Sequence, residues 1–180
     1  DPTDAKDFDD ALSVTPGDVP GTYEVGVHIS DVAAYIEPRS RFDEAAAKRC
    51  FSCYLPGRTL PMLPPALTAK ISLKAGEPSL AHSHFFLVDG QTGAILKSRR
   101  EHTLVTISRR LDYDAVQRFH DTGKAPEEWS DAERETVGKL LELSRLMRRR
   151  RFQEEQFIEL PLPEIRVLCD ERTNRIEGLV

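Results

Sequence analysis

The sequence has few cysteines, and they do not form the pattern of a disulfide framework. Three cysteines among 180 residues are an odd number, whereas small disulfide-stapled domains carry a dense and even set. The chain also begins without a methionine, a basic segment or an apolar run of the kind found in signal peptides. The sparse cysteines favour a reducing, intracellular setting, which we expect to be the cytoplasm, with an organelle as the open alternative.

Long hydrophobic runs are absent as well. Residues 59–69 contain no Asp, Glu, Lys or Arg, and no charge-free stretch is longer than these eleven residues. A membrane-spanning helix needs about 20 apolar residues, and this stretch also contains three prolines. The content of 39% hydrophobic and 31% charged residues, with a formal net charge of −5, is that of a globular protein. The sequence therefore predicts no contact with a membrane, and its length suits one domain or a large part of one.

Alternating polar and apolar residues predict an antiparallel set of strands. Residues 10–14 and 23–29 alternate in this way, and turn-forming residues lie between them, so we expect a β-hairpin. Asp9 and Asp10 would stand at the end of its first strand. The other predicted strands cover residues 83–88, 94–111, 165–169 and 175–180.

Capping signals predict three helices, and a proline-rich segment separates the first of them from the later strands. The caps are Ser40 with Asp43, Asp112, and Ser130 with Glu133. They precede helices over residues 42–49, from 113 to about 119, and from 131 onward. Residues 54–65 hold five prolines and glycines, which predict an ordered but irregular loop. Strands and helices are mixed without regular βαβ alternation, so we predict an α+β fold with a mixed, mainly antiparallel sheet and packed helices.

The first ten residues carry an unusual density of carboxylates, with Lys6 as the only base among them. The acids are Asp1, Asp4, Asp7, Asp9 and Asp10. Like charges this close raise each other's pKa, so a bound cation would stabilise the cluster. The absence of cysteine and histidine disfavours zinc, and an all-oxygen donor set indicates Mg²⁺ or Mn²⁺. In an extended segment Asp7 and Asp9 share one face, with their Cα atoms about 6.6 Å apart.

The acidic segment has two other interpretations besides a magnesium site. An acidic stretch in a loop is often only a solvated surface, and this interpretation stays open. An EF-hand calcium loop is disfavoured, because its sixth and twelfth positions require glycine and glutamate. Those positions hold Lys6 and Leu12.

Residues 1–12 also resemble the signature that opens the catalytic domain of the RNase II/RNase R (RNB) family of 3′→5′ exoribonucleases. Four further blocks follow in the family's order: Val27-His28-Ile29-Ser30-Asp31-Val32, Tyr54-Leu55-Pro56-Gly57, Pro61-Met62-Leu63-Pro64 and Ile71-Ser72-Leu73. Each block alone is a weak signal. Five blocks in register indicate the N-terminal part of an RNB-type catalytic domain.

The resemblance implies a hydrolase that shortens single-stranded RNA from its 3′ end and releases nucleoside 5′-monophosphates with Mg²⁺ at the site. The family's catalytic and metal-binding aspartates fall at Asp1, Asp7, Asp9 and Asp10, whereas Asp4 falls at a position that the family does not require. One ion would activate a water and another would stabilise the leaving 3′ oxygen. The family's base-stacking aromatic falls at Tyr54, for which a core tyrosine is the alternative.

The same resemblance implies that residues 1–180 are a single, partial catalytic domain. The family's later arginine-rich block, second aromatic and acid near the terminal nucleotide are not among these residues, nor are its flanking OB-fold domains. We therefore expect activity to need the rest of the polypeptide. A non-catalytic RNA-binding or regulatory protein that retains the fold is the alternative, although such a protein has no need of all four aspartates. Protein partners stay open.

Smaller signals have modest interpretations. Cys50 and Cys53 form a C-x-x-C pair at a predicted helix C-terminus, where a thiolate gains no stabilisation, so we expect packed and inert cysteines. His82 and His84 share one face of a strand without a third ligand nearby, which indicates a structural role. The arginines at positions 99–100, 109–110 and 148–151 either contact phosphates or form a solvated surface.

Overall fold

The computed structural model describes residues 5, 7–55, 58–154, 157–158, 160, 167–170, 173 and 175–179. In chain order the elements are β1 (Asp10–Pro16), β2 (Thr22–Ser30), a 3₁₀ turn (Val32–Ala34), α1 (Arg41–Arg49), β3 (Cys53–Leu55), β4 (Arg58–Leu60), α2 (Pro65–Ile71), β5 (Pro78–Asp89), β6 (Ile95–Thr106), α3 (Tyr113–Thr122), α4 (Asp131–Glu154), β7 (Val167–Asp170) and β8 (Arg175–Leu179). This mixture of helices and antiparallel strands confirms the α+β prediction.

The chain divides into two compact units. The first unit contains Asp1–Asp31 and Ile71–Phe157, and the second contains Val32–Lys70 and Ile158–Val180. Among the described residues, no helix combines the length and the apolar character needed to cross a membrane.

The first unit is built on a four-stranded antiparallel sheet in the order β1-β2-β5-β6. The predicted hairpin between β1 and β2 is confirmed, and the chain turns at Gly21, whose φ of 83° suits glycine. The strand predicted over residues 94–111 is shorter than expected. It ends at Thr106, which pairs with Pro78 at the start of β5. Proline has no N–H to donate, so the ladder between β5 and β6 has no regular continuation beyond that pair.

Two helices of the first unit begin at the predicted caps. Asp112 accepts a hydrogen bond from the Ala115 amide at 2.8 Å, and α3 then runs to Thr122, three residues further than predicted. Ser130 and Glu133 exchange hydrogen bonds in a reciprocal capping box at the start of α4. The buried hydrophobic residues of this unit are Ile71, Leu73, Ala81, Val88, Trp129, Val137 and Leu143.

The second unit corrects one prediction. Residues 54–65 are not simply an irregular loop, because β3 and β4 pair there as a short antiparallel ribbon and α2 begins at Pro65. Its prolines do not oppose these elements, since Pro61 follows β4 and the first position of a helix needs no N–H donor. Position 56 lies outside the described residues.

The remaining elements of the second unit follow the predictions. The hydroxyl of Ser40 caps α1 by accepting from the Asp43 amide. The Asp43 carboxylate accepts from the Arg39 amide at 2.7 Å, where a symmetrical capping box would use Ser40. The predicted last hairpin is present as β7 paired with β8, although residues 165–166, 171–172, 174 and 180 fall outside the described part.

Candidate functional site

The acidic segment, residues 7–10, leads directly into the first strand of the sheet. Asp7 is half-buried, Asp9 and Asp10 are exposed, and Asp10 is the first residue of β1, where it pairs with Ile29 of β2. The structure therefore places Asp9 and Asp10 at the strand end, as predicted. Asp1, the fourth predicted ligand, lies outside the described residues, as does Asp4.

Backbone hydrogen bonds hold this segment in place. The Phe8 amide donates to the Ser72 hydroxyl at 2.6 Å, and the Leu73 amide donates to the Phe8 carbonyl at 2.8 Å. The Ser30 amide donates to the Asp9 carbonyl at 2.8 Å. Ser72 and Leu73 belong to one of the sequence blocks noted above, and Ser30 belongs to another. Their position in the sequence indicates no role for these residues, and the structure shows that they anchor the acidic segment.

The carboxylates of the acidic segment act on one another electrostatically. Partial burial raises the pKa of the Asp9 carboxyl above its ordinary value, and the charges of Asp7 and Asp10 raise it further. A raised pKa means that the negative form of Asp9 is disfavoured where it stands. A cation at this position would relieve the repulsion.

The donor chemistry of the segment fits a hard divalent cation. Asp7, Asp9 and Asp10 supply only carboxylate oxygens, the ligands that Mg²⁺ prefers. Within the described part of the chain, however, no three His, Cys, Asp or Glu side chains form a group that could hold a metal ion. The described aspartates therefore fit the ion in donor chemistry, and a complete ligand set needs a further donor, for which Asp1 is the sequence's candidate.

An arginine side chain contacts Phe8, the residue between Asp7 and Asp9. The guanidinium of Arg110 sits over the Phe8 ring, 4.8 Å from its centroid, which is a cation–π distance. Arg110 is exposed. This contact brings one of the predicted candidate arginines to the acidic segment, a placement that sequence spacing could not reveal.

Several of the other candidate arginines contact acidic or aromatic residues of the first unit. Arg99 is paired with Glu24 and Glu101 and lies over the Phe85 ring. Arg109 donates to Glu133 at 2.7 Å. In the run at the end of α4, Arg150 pairs with Glu154, and Arg151 lies over the Phe157 ring. These contacts give Arg99, Arg109, Arg150 and Arg151 structural partners.

Tyr54 belongs to the second unit, where it lies in β3 opposite Thr59 of β4. It is 71% exposed, so the alternative of a core tyrosine is wrong. The base of the ribbon is tied by Met62, whose amide donates to the Ser52 hydroxyl and whose carbonyl accepts from Arg49. The ring is therefore presented to solvent on a short, locally anchored strand pair.

The cysteine pair is not packed as expected. Cys50 caps the C-terminus of α1 with a positive φ of 66° and is exposed, while Cys53 is half-buried. Both thiols are free. Their position at a helix C-terminus offers no stabilisation to a thiolate.

Two buried polar side chains, His28 and Asp31, have hydrogen-bond partners that the sequence does not predict. His28 is buried and its ring nitrogens lie 2.7 Å from the Ser83 hydroxyl and 2.9 Å from the Ser13 hydroxyl. Asp31 is also buried, and its carboxylate lies 2.7 Å from Nδ1 of the exposed His102. These contacts tie β1, β2, β5 and β6 together beside the acidic segment, and give the Val27–Val32 block an internal structural role.

Comparison with known proteins supplies the family. The RNB domain matches residues 1–180 of the chain. Ribonuclease R of Chlamydia trachomatis is 39% identical over 147 residues, which cover 81% of this chain and 20% of that protein. The inactive exonuclease DIS3L2 of Arabidopsis thaliana is 35% identical over 167 residues, which cover 84% of this chain and 15% of that protein. The chain thus spans a fifth or less of the length of these curated relatives.

The fold agrees with the sequence relationship. The structure of Mycoplasma genitalium RNase R in complex with ribose methylated single-stranded RNA matches with a TM-score of 0.90 and 26% identity, over 100% of this chain and 27% of that chain. The resemblance of the five sequence blocks is thereby confirmed. Because the match in sequence runs from residue 1 to residue 180 and the α+β fold agrees with it, this chain belongs to the RNB domain family.

Proposed function

We propose that the chain is the N-terminal part of the catalytic domain of a 3′→5′ exoribonuclease that acts on single-stranded RNA. The observation that carries this proposal is the acidic segment of an RNB-family chain, where Asp7, Asp9 and Asp10 stand together at the head of β1. The pKa of the Asp9 carboxyl is raised mainly by burial, and the charges of Asp7 and Asp10 raise it further, so a cation beside these carboxylates would stabilise their ionised form.

The aspartates would hold divalent metal, with Mg²⁺ as the expected ion and Mn²⁺ as a substitute. Asp7, Asp9 and Asp10 would bind it together with Asp1. When bound, the metal supplies charge neutralisation at the scissile phosphate and lowers the pKa of the attacking water. The protein's part is to hold the carboxylates in position, which the hydrogen bonds on the backbone of Phe8 and Asp9 support.

Tyr54 would stack on a base near the 3′ terminus. Its exposure leaves the ring face available, and stacking is tolerant of sequence because every base has a π-face. RNA as the ligand is supported by the relative from Mycoplasma genitalium, whose structure holds single-stranded RNA. The products would be nucleoside 5′-monophosphates, because water would add to the phosphorus and the P–O3′ bond to the shortened RNA would break. The phosphate would then stay on the 5′ oxygen of the released nucleotide.

A non-catalytic RNA-binding protein that retains the fold is the second candidate. One of the relatives, at 35% identity, is named an inactive exonuclease, so family membership alone does not decide activity. The retention of Asp1, Asp7, Asp9 and Asp10 in this chain favours the enzyme. A protein that only binds RNA gains nothing from four carboxylates facing a polyanion.

The test uses the natural full-length protein and a 5′-labelled single-stranded RNA, offered with a free 3′ hydroxyl or with a blocked 3′ end. We expect the free RNA to shorten from its 3′ end in Mg²⁺, with release of nucleoside 5′-monophosphates, and to stay intact in EDTA. The blocked RNA should be degraded more slowly. RNA binding without hydrolysis in Mg²⁺ or Mn²⁺ would contradict the enzyme and support the second candidate.

A further inference from the structure

The backbone of Phe8, the residue between Asp7 and Asp9, is held on both of its polar groups by one neighbouring segment. The Phe8 amide donates to the Ser72 hydroxyl at 2.6 Å, and the same hydroxyl can donate back to the Phe8 carbonyl at 3.3 Å. The Leu73 amide donates to that carbonyl at 2.8 Å. Ser72 is 2% exposed, so its hydroxyl is fixed from behind by packing.

These contacts determine where the flanking carboxylates point. The direction in which a side chain leaves the chain is set by the backbone on either side of it, so a fixed Phe8 backbone restricts the directions open to Asp7 and Asp9. The Ser30 amide fixes the next peptide by donating to the Asp9 carbonyl at 2.8 Å. The segment is thus held from two directions, while repulsion between the carboxylates acts to separate them.

We propose that Ser72 is a positioning residue for the metal site, because its side chain fixes the Phe8 backbone and thereby keeps Asp7 and Asp9 directed toward one ion. The inference rests on the proposed function, since it assumes that these aspartates bind a divalent cation. It goes beyond that function by giving a chemical role to a buried serine 64 residues away in sequence.

The hydroxyl is the part of Ser72 that matters. Removing it leaves the Phe8 amide without its side-chain acceptor at a half-buried position, where water replaces it poorly. Threonine keeps the hydroxyl, and cysteine keeps only a weak acceptor. Arg110 contacts only the ring of Phe8, so this contact does not by itself fix the Phe8 backbone.

The experiment measures Mn²⁺ binding to the full-length protein without RNA, by the loss of the free-ion signal in electron paramagnetic resonance. Ser72→Ala is compared with Ser72→Thr and with Ser83→Ala, a control at a fully buried serine that bonds His28 and Thr103 in the same unit. We expect Ser72→Ala to weaken Mn²⁺ binding about 10- to 100-fold, the range for residues that orient metal ligands. Ser72→Thr should stay within about threefold of wild type, and Ser83→Ala should bind like wild type.

A hydrolysis assay adds a second readout that loss of stability alone would not produce. The Mg²⁺ concentration for half-maximal rate should rise in Ser72→Ala, while the rate at saturating Mg²⁺ should largely recover. If Ser72→Ala does not fold, Ser72→Cys takes its place, and we expect it to bind Mn²⁺ more weakly than Ser72→Thr.

The outcomes separate this inference from the proposed function. Mn²⁺ affinity in Ser72→Ala, or in Ser72→Cys where that variant is needed, equal to that of wild type would overturn the role of Ser72 and leave the proposed metal site standing. An equal loss of affinity in Ser83→Ala would also overturn it, because the effect would then be one of general stability. A wild-type protein that binds no Mn²⁺ would overturn the proposed metal site and this inference together.

Discussion

The acidic segment of the first unit and the β3–β4 ribbon of the second unit each carry a group to which the proposed function gives a role, and the two are held in different ways. The acidic segment joins a four-stranded sheet and is bonded through its own backbone to the buried Ser72–Leu73 segment and to Ser30. The ribbon consists of two strands of three residues, and Tyr54 on it is 71% exposed.

This difference follows what each group has to do. Carboxylates that share an ion repel each other without it, so they need a rigid backbone to stay close. An aromatic ring that stacks on a base needs an open face, and a small shift of the ring is tolerated because stacking has no strict register. We therefore expect substitutions at the acidic segment to act on the chemical step and substitutions at the ribbon to act on the grip on RNA.

The largest effect is expected for Asp9→Asn, which removes a charge from the acidic segment while keeping its shape. Hydrolysis should fall by at least about 10²–10³-fold, the loss typical for one missing electrostatic contact at a reacting centre, while RNA affinity stays within a few-fold. The measurement is the single-turnover rate on a labelled oligonucleotide in saturating Mg²⁺. Asp4→Asn is the matched control in the same stretch and should retain activity. Near wild-type hydrolysis by Asp9→Asn would contradict the assignment of the chemical step to the acidic segment.

The next effect is expected for Tyr54→Ala, because base–aromatic stacking contributes about 1–3 kcal/mol per base. The grip on the last nucleotides should loosen, and the shortest product of exhaustive digestion should change in length. Tyr54→Phe should behave as wild type, since it keeps the ring. Tyr113→Ala, at another exposed tyrosine, is the control. An unchanged digestion limit in Tyr54→Ala would mean that the ring has no part in binding RNA.

A smaller effect concerns the hydrogen-bonded interior of the sheet that carries the acidic segment. Burial lowers the pKa of His28 below its ordinary value of 6.5. Well above pH 6.5 His28 is neutral in the folded and unfolded states, so its ionisation does not lower the free energy of unfolding there. As the pH falls below 6.5, the unfolded chain takes up the proton first, and stability is lost progressively until the folded pKa is reached.

Urea unfolding at pH 7.5 and pH 5.5 measures this loss, and nuclear magnetic resonance of the His28 ring gives its titration midpoint. His28→Gln should lose less stability than wild type over the same pH interval. A midpoint at or above 6.5 in the folded protein would show that the buried network accommodates the charged ring.

The smallest effects are expected at the helix caps, one from each unit. Asp112→Ala should lower the free energy of unfolding by about 1 kcal/mol, because the Asp112 carboxylate accepts from the Ala115 amide at 2.8 Å. Ser40→Ala should lower it less, since the corresponding bond on the Asp43 amide is 3.3 Å long. Thermal unfolding compares them, with Asp112→Asn as the conservative control. A larger loss for Ser40→Ala would show that bond length is a poor guide here.

Local signals were enough to predict much of the fold. The β1–β2 hairpin, the caps at Ser40, Asp112 and Ser130, and the last hairpin all depend on residues close in sequence, so turn and capping chemistry could reveal them. The loop predicted for residues 54–65 is the exception, because the effect of a proline depends on its exact position in an element. Those at 61 and 65 lie after a strand and at the start of a helix, where they do no harm.

The candidate site was predictable in part for the same reason. Asp7, Asp9 and Asp10 are neighbours in sequence, and their arrangement at a strand end follows from the hairpin. The bond between Phe8 and Ser72 joins residues 64 positions apart. The contact of Arg110 with the Phe8 ring also joins residues that are far apart in sequence. No local pattern encodes such contacts, so they became visible only when the fold was assembled.

The most direct test of the account is whether the acidic segment binds a divalent ion. Crystals of the full-length protein soaked in Mn²⁺ and measured at the manganese absorption edge would place the ion by its anomalous scattering. The account predicts a peak within about 2.0–2.5 Å of carboxylate oxygens from Asp7 or Asp9 and from at least one other member of the set Asp1, Asp7, Asp9 and Asp10. A clear map with manganese elsewhere, or with no peak at these carboxylates, would contradict it.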